Sequence, residues 1–314
     1  MQVIQGVGPC AVPQPPSVVT IGAYDGVHLG HRAVIEQVKA LATAQGLQTV
    51  VVTFDRHPAM VVRPESAPKL LCDLDQKLEL LEAAGVDATY VVHFDEERAK
   101  ETAEEFVHEV LAGCLTARAV VVGEDFHFGH KRGGNVALLR EMGATLGFTV
   151  EGLELVSTEV GGTVISSTAI RSLLAEGDAR GAAAMLGRPH EVRGAVEHGD
   201  KRGRELGFPT ANLQIPDEIQ LPMDGIYAGW FERADGSVHA TAMSLGHRPT
   251  FYERPQGAPL LECNLLDFAD DLYGEAVRVR FVERLRGEVK FDGIDPLIAQ
   301  MQADVEQTRS LLLP

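Results

Sequence analysis

His28 and His31 lie in the string GAYDGVHLGH, residues 22–31, directly behind an apolar run. At that spacing on a helix, both rings share one face and can address one ligand. Gly22, Gly26 and Gly30 surround them and let backbone come close to it, and Asp25 adds a carboxylate. Three chemistries compete for such a string. Two imidazoles could ligate zinc, but no Cys/His cluster offers a third and fourth ligand. They could be packed histidines without a ligand, which leaves the glycines and the aspartate without a purpose. At the opening of a helix, free N–H groups and a partial positive charge favour phosphate, and two imidazoles there can donate to an oxyanion that gains charge during reaction.

A second string, ISSTAIR (165–171), has the same character. Ser166, Ser167 and Thr168 can donate hydroxyls and backbone N–H groups at another helix start, and Arg171 can neutralise a departing phosphate as a bidentate donor. Read alone, Ser-Ser-Thr is an ordinary N-cap run. TFDRHP (53–58, with His57) and VGEDFHFGHKRGG (122–134, with Asp125) fall after strand-like runs and carry His, Asp and Arg toward the same ligand-binding end, or else are solvated loops.

Farther along, HGDKRGRELGFPTANL (198–213) interleaves Gly199, Gly203 and Gly207 with Lys201, Arg202 and Arg204. A basic, glycine-rich loop can close over phosphates through backbone N–H groups and cations. Thr210 and Asn212 follow with neutral oxygens suited to Mg²⁺ that bridges phosphates. Neither a P-loop nor a protein-kinase catalytic loop occurs, so this is a different way to hold ATP. The plainer alternative is a charged turn followed by a strand.

The elements that position these groups fall into two rhythms. The first half alternates strand-like runs (17–22, 49–54, 89–94, 118–123) with helical patterns. The helices open at Leu29, cover 77–85, and follow a capping-box spacing of Thr102 and Glu105. Continuous apolar strands separated by single helices predict a Rossmann-like α/β unit, a parallel sheet with helices on both faces. Ligands bind such sheets beyond the carboxyl ends of the strands, where the histidine pair falls. After LGRPH (186–190) the segments become short and β-like, with a hairpin turn at 234–237 and strict alternation at Val277, Val279 and Phe281. A small antiparallel β-barrel is expected there, closed by one terminal helix with Asp295 as N-cap and Pro296 at its first position. The expected domains are 1–186 and 187–314.

The chain has 314 residues and a net charge of −17, which argues against general affinity for nucleic acid or anionic membrane. Its four cysteines, Cys10, Cys72, Cys114 and Cys263, are scattered with no C-x-x-C spacing, so neither a zinc site nor a disulfide framework is suggested and a reducing cytoplasm is expected. No basic n-region of a signal peptide precedes Arg32, and no apolar run approaches a membrane span. Oligomeric state has no signature in the residues.

H-x-G-H behind a first strand resembles the nucleotidyltransferase superfamily, whose members join a nucleotide's α-phosphate to an acceptor and release pyrophosphate. The ordered set TIGAYDGVHLGH, VVGEDFHFG, SSTAIR, LGRP, RGRELGFPTANL, GIYAG, LGHRPTF and LLDFADDLYGE resembles the bacterial bifunctional riboflavin kinase/FAD synthetase family over essentially the whole chain. The resemblance implies an N-terminal FMN adenylyltransferase and a C-terminal riboflavin kinase, with riboflavin, FMN and ATP as substrates and Mg²⁺ as cofactor. By resemblance, His28 and His31 stabilise the α-phosphate transition state. Gly22, Asp25, Gly30, Ser166, Ser167, Thr168 and Arg171 serve the ATP phosphates, and His57 and Asp125 lie at the flavin side. In the kinase, Gly199, Lys201, Arg202 and Gly207 belong to the phosphate loop, and Thr210 and Asn212 hold Mg²⁺-ATP. Glu262, in LLECNLLDF, matches the family's catalytic base; its surroundings in the sequence suggest only a solvated strand face.

Departures from the family pattern are Ala23-Tyr24 for Asn-Phe, TFDRHP for Thr-Phe-Glu-Pro-His-Pro, His247-Arg248, Cys263-Asn264 and Asp125 for Asn. None removes a group the chemistry needs. Competing readings are adenylyl transfer to another acceptor phosphate and a flavin-storage protein on the same scaffold; two intact phosphate motifs speak against both. The flavin pockets are not assignable, Tyr252, Asp271 and Tyr273 being only neighbours of motifs.

Overall fold

Runs of β-branched residues build the middle of a parallel sheet, because a strand covered on both faces needs apolar side chains at every position. The structure, a computed structural model, describes residues 1–6, 10, 12–153, 159–160, 162–198, 207–246 and 259–313. It divides into two compact units, Met1–Ser166 and Ser167–Pro314, each described by itself.

In the first unit the strands are β1 (Gln2–Gly6), β2 (Ser17–Ile21), β3 (Gln48–Phe54), β4 (Ala88–Val92), β5 (Ala117–Gly123), the two-residue pair β6 (His127–Phe128) and β7 (Gly134–Asn135), β8 (Thr149–Leu153), and a second short pair, β9 (Glu159–Val160) and β10 (Thr163–Val164). Six of them form one parallel sheet in the order β1-β4-β3-β2-β5-β8. The helices are α1 (Leu29–Gln45), α2 (Ala59–Val62), α3 (Leu74–Ala83), α4 (Ala103–Phe106, continued as a π-helix over Val107–Cys114) and α5 (Val136–Leu146). Strand alternation sends Val19, Val50, Val52 and Val120 to one face, against α4 and α5. It sends Val18, Val51, Ala119 and Val121 to the other, against α1 and α3. The expected two-faced α/β layer is therefore present.

Three expectations need correction. The edge strands β1 and β8 carry polar residues and escaped the apolar-run criterion. Helix α3 begins at Leu74 rather than 77, because Asp73 caps it by accepting the Gln76 N–H at 2.7 Å. Cys10 and Cys114 form a disulfide, their Cα atoms 5.2 Å apart. The π-helical end of α4 brings Cys114 to Cys10, a tertiary proximity that spacing along the chain does not report.

The second unit opens with α6 (Ser167–Ala175) and α7 (Ala179–Leu186), the latter ended by Gly187 at φ 71°. Both pack with the barrel: the Met223 N–H donates to the Leu174 carbonyl at 2.8 Å, and Arg180 pairs with Glu283. The barrel strands are β11 (His190–Glu197), β12 (Ala211–Gln214), β13 (Gly225–Glu232), β14 (Val238–Gly246), β15 (Leu260–Leu265) and β16 (Ala276–Arg286). They close in the order β11-β12-β15-β14-β13-β16, every pair antiparallel. The predicted hairpin turn joins β13 and β14, with Gly236 at φ 84°. The last helix, α8 (Ile294–Leu312), begins one residue before Asp295, with Gly293 at the cap position and no side-chain cap bond; Asp295 sits in its first turn instead. Arg286 on β16 clamps it by a bidentate pair to Asp304, at 2.9 and 2.6 Å.

Candidate active site

The loop between β2 and α1 is held in an unusual backbone path. Tyr24, Gly26 and Val27 all have positive φ (48°, 79° and 38°), which costs a residue with a Cβ on the order of 1–2 kcal/mol. Burial holds them there: Tyr24 and Val27 pack with Ile35, Val51 and Leu81. The path makes His28 the N-cap of α1, its Nδ1 accepting the His31 N–H at 3.3 Å. A ring nitrogen that accepts carries no proton, so whenever His28 is neutral its proton sits on Nε2.

The His28 and His31 rings stack, with centroids 3.6 Å apart and planes 17° from parallel. A Cβ on Gly30 would meet the His28 ring at 3.2 Å and the Ile165 carbonyl at 3.5 Å, which explains the glycine between them. Tyr24 supports the pair from beside it: its ring lies 4.8 Å from His31, and its hydroxyl shares a 2.7 Å hydrogen bond with Thr20. Burial drives the His31 pKa well below the ordinary histidine value, and the charges of His28 and Lys77 add to that. His31 is therefore a neutral imidazole at physiological pH, and its Nδ1 is buried without a hydrogen-bond partner.

Around the pair, the carboxyl ends of the strands supply further groups. Asp25 is buried and accepts the Leu71 N–H at 2.8 Å and the Cys72 N–H at 3.4 Å, so it fixes the segment before α3. Gly22 lies against the Tyr24 ring. After β3, His57 accepts the Ala59 N–H at 3.1 Å through Nδ1. Asp55 accepts from His93 Nδ1 at 2.7 Å, Phe94 N–H at 3.0 Å and Arg56 at 3.3 Å. Burial pushes the Asp55 carboxyl up, but those hydrogen bonds and the Arg56 charge outweigh it and hold the carboxyl below the usual range. A pocket between the ends of β2 and β3 is lined by Ala23, Asp25, Phe54, Asp55, Arg56, His57, Cys72 and Lys77 among others. The structure thus brings Asp25 and His57 to one pocket. Lys77, which the sequence showed only as part of a helix, belongs to it too. Asp125 is exposed beyond the end of β5. Ser166 ends the first unit, and Ser167, Thr168 and Arg171 lie on α6, which starts at Ser167 as the N-cap pattern required.

In the barrel, β12 pairs with β15 so that Asn212 stands opposite Glu262, and β14 places Ser244 on the other side of Glu262. Directly opposed residues share a face. The buried alternates Ala211, Leu213, Leu261 and Cys263 fill the interior, which leaves Asn212 and Glu262 on the outer face, half-buried. Thr210 precedes β12 by one residue, and the Asn264 side chain ties this approach down by donating to the Pro209 carbonyl at 2.8 Å. Gly207, at φ 86°, needs its glycine. Beside the strand ends, His198 and Tyr273 form a ring pair at 3.9 Å, which lines a second pocket with Glu197. Gly199, Lys201, Arg202, His247, Arg248 and Tyr252 lie outside the described residues.

Imidazoles at a helix start suit transfer of a phosphorus-centred group, and a carboxylate opposite a carboxamide suits deprotonation of a hydroxyl beside a nucleotide. Both sets of groups suit phosphorus chemistry, the chemistry of a nucleotide-dependent transferase. Known proteins narrow this. An FAD synthetase family model matches residues 11–169, and a riboflavin kinase family model matches residues 186–312. A bifunctional riboflavin kinase/FMN adenylyltransferase of Listeria monocytogenes is 37% identical over 93% of this chain and 91% of its own length. That of Haemophilus influenzae is 36% identical over 99% of both chains. A crystal structure described as a macrolide-efflux protein from Streptococcus pneumoniae superposes with a TM-score of 0.87 at 31% identity, covering 98% of this chain and 99% of that one. The chain belongs to the family of bifunctional riboflavin kinase/FMN adenylyltransferases. Among the described residues no helix is long and apolar enough to cross a membrane.

Proposed function

We propose that the chain carries out two consecutive reactions, with residues 1–186 and 187–314 as the functional division. It phosphorylates riboflavin with ATP to give FMN, then adenylylates FMN with a second ATP to give FAD and pyrophosphate. The observation that carries this reading is that each of two family models matches a separate stretch bearing its own set of phosphate-type groups.

In the kinase step, Glu262 accepts the proton of the ribityl 5′-hydroxyl as that oxygen attacks the γ-phosphorus, and ADP leaves. Thr210 and Asn212 offer two neutral oxygens on one face. That donor set fits Mg²⁺, which takes few protein ligands and completes its shell from phosphates and water. When bound there with the nucleotide, Mg²⁺ neutralises charge on the phosphates. Gly199, Lys201, Arg202 and Gly207 serve those phosphates.

In the adenylyl step, a phosphate oxygen of FMN attacks the α-phosphorus of ATP. His28 donates from Nε2, and His31, a neutral donor, adds its N–H, to the oxygens that gain charge. Gly22 and Gly30 give the backbone room, Asp25 holds the loop, and Ser166, Ser167, Thr168 and Arg171 take the leaving pyrophosphate. His57 and Asp125 lie on the flavin side. ATP as co-substrate places the reaction in the cytoplasm, and riboflavin, FMN and ATP are its partners.

The test is chromatographic separation of flavins after mixing the purified protein with riboflavin, ATP and Mg²⁺. FMN followed by FAD is expected. FMN without FAD overturns the adenylyl reading, and unchanged riboflavin overturns the kinase reading.

A further inference from the structure

Lys77 is a charged side chain with almost no access to water: only 7% of it is exposed. It is the fourth residue of α3 and lines the pocket at the ends of β2 and β3, beside Asp25, Arg56 and His57. Its Nζ donates to the Phe54 carbonyl at 3.1 Å, a neutral acceptor. An ammonium has three donors. Among the described residues this is its one hydrogen bond, and no carboxylate oxygen lies within ion-pair distance of it. The two nearest acidic side chains are committed elsewhere: Asp25 to the N–H groups of Leu71 and Cys72, and Asp55 to His93, Phe94 and Arg56.

A buried ammonium without a close counter-ion is costly, and a fold keeps one where a ligand completes it. The ligand must be anionic and must reach the Lys77 ammonium in this pocket, which Ala23 and Asp25 of the loop that carries the histidine pair also line. We propose that Lys77 is a substrate-contacting residue of adenylyl transfer, its ammonium receiving a phosphate oxygen of a bound substrate between the ends of β2 and β3. This rests on the adenylyl-transfer reading of the first unit. Burial pulls the ammonium below the usual lysine range, while Cys72, Asp25 and Asp55 pull it back toward the charged form. A phosphate oxygen at this point would give the ammonium the close anionic partner that the Phe54 carbonyl does not supply. The phosphate belongs either to FMN or to the ATP triphosphate, and the two have separate kinetic signatures.

The experiment is Lys77→Met in the full chain, near-isosteric and uncharged, with FMN formation, FAD formation and thermal melting measured in parallel. The expected result is a fall of about 100-fold in kcat/KM for FAD formation, as for loss of one charge-stabilising donor. FMN formation should stay within roughly twofold and the melting temperature should be equal or higher, because an uncompensated buried charge has been removed. A rise in KM confined to FMN assigns the contact to the flavin phosphate, and one confined to ATP assigns it to the triphosphate. A thermal shift induced by inorganic pyrophosphate or FMN in the parent, and lost in the variant, is the matching equilibrium readout. If Lys77 is only a strut for the Phe54 carbonyl, the variant melts lower while FAD formation per folded molecule is unchanged, and the proposal fails. Lys77→Gln, read the same way, serves if methionine is not accommodated. A parent enzyme that makes no FAD overturns the underlying reading, and that outcome is distinct from a variant that makes FAD normally.

Discussion

Glu262 on β15 stands directly across the ladder from Asn212 on β12, with Ser244 of β14 on its other flank. Three neighbouring strands thereby set an acid and two neutral polar groups on one outward face while their alternates close the core. Groups held on strands keep their relative positions better than groups on loops. A ligand that contacts Asn212 would therefore be within lateral reach of the carboxylate without any movement of the backbone.

Glu262→Gln should abolish most FMN formation, by about 10²- to 10⁴-fold, as expected for loss of a general base. Conversion of added FMN to FAD should continue at the parent rate. Flavin chromatography with riboflavin, and separately with FMN, checks both halves. Joint loss of the two activities in a folded variant would contradict the division of labour.

His28→Ala combined with His31→Ala should do the reverse, so that FMN accumulates and FAD does not form. Removing one such donor costs about 10²- to 10³-fold. His31 is neutral because burial and its charged neighbours lower its pKa. The parent adenylylation rate should therefore show no decline with rising pH through the ordinary histidine range. A tenfold loss per unit above about pH 6.5 would mean that an imidazolium at His31 is required after all.

His190, buried at the start of β11, is pulled down to a pKa of about 4, chiefly by burial, with its Nε2–H donating to the Gln220 carbonyl at 2.8 Å. The folded value lies below the unfolded one, so its stabilising effect is present above about pH 6.5 and is lost as pH falls toward 4. Between pH 7 and pH 5 this single group should cost the second unit about 2 kcal/mol. Urea unfolding followed by Trp230, the single tryptophan of the sequence and a β13 residue, measures it. In His190→Gln the pH dependence should flatten by that amount.

Arg286→Met leaves Asp304, only 4% exposed, with Gln300 at 3.1 Å as its remaining side-chain donor. Breaking such a pair from one side costs about 3 kcal/mol or more. The same fluorescence measurement should show an early transition, and FMN formation should fall with it on warming. Replacing both residues by apolar ones, Arg286→Met with Asp304→Leu, should recover part of the loss.

Legibility in the sequence followed burial. β2 to β5 were readable because both faces are covered and their central positions form apolar, mostly β-branched runs. β1, QVIQG, and β8, TVEGL, pair along one edge only and keep polar residues, so they look like loops. The glycines and histidines of 22–31 pointed to a ligand site from their types and spacing alone, whereas the close packing of Gly22 on Tyr24 and of Gly30 on His28 appears only in the fold. Lys77 gave no such signal, since a lysine near the start of a helix normally faces water, and only the fold shows α3 turning it inward. Glu262 was also silent without the family pattern. Its neighbours Asn212 and Ser244 come from strands that are distant in the chain, and ladder register is a tertiary property. The Cys10–Cys114 pair and the Arg286–Asp304 clamp were unreadable for the same reason.

The alternation on β15 also means that the Glu262 carboxylate guards the assembly of its own barrel. A slip of one residue against β12 would turn Glu262 inward among Leu213, Leu245 and Phe281, and would push Leu261 and Cys263, both 0% exposed in the native register, out into water. A misthreaded strand would therefore carry an unpaired charge in its interior, a far larger penalty than a slip along an apolar-polar strand without an acid. The acid proposed to take the proton thus serves, before any substrate arrives, as a proofreading mark for strand alignment.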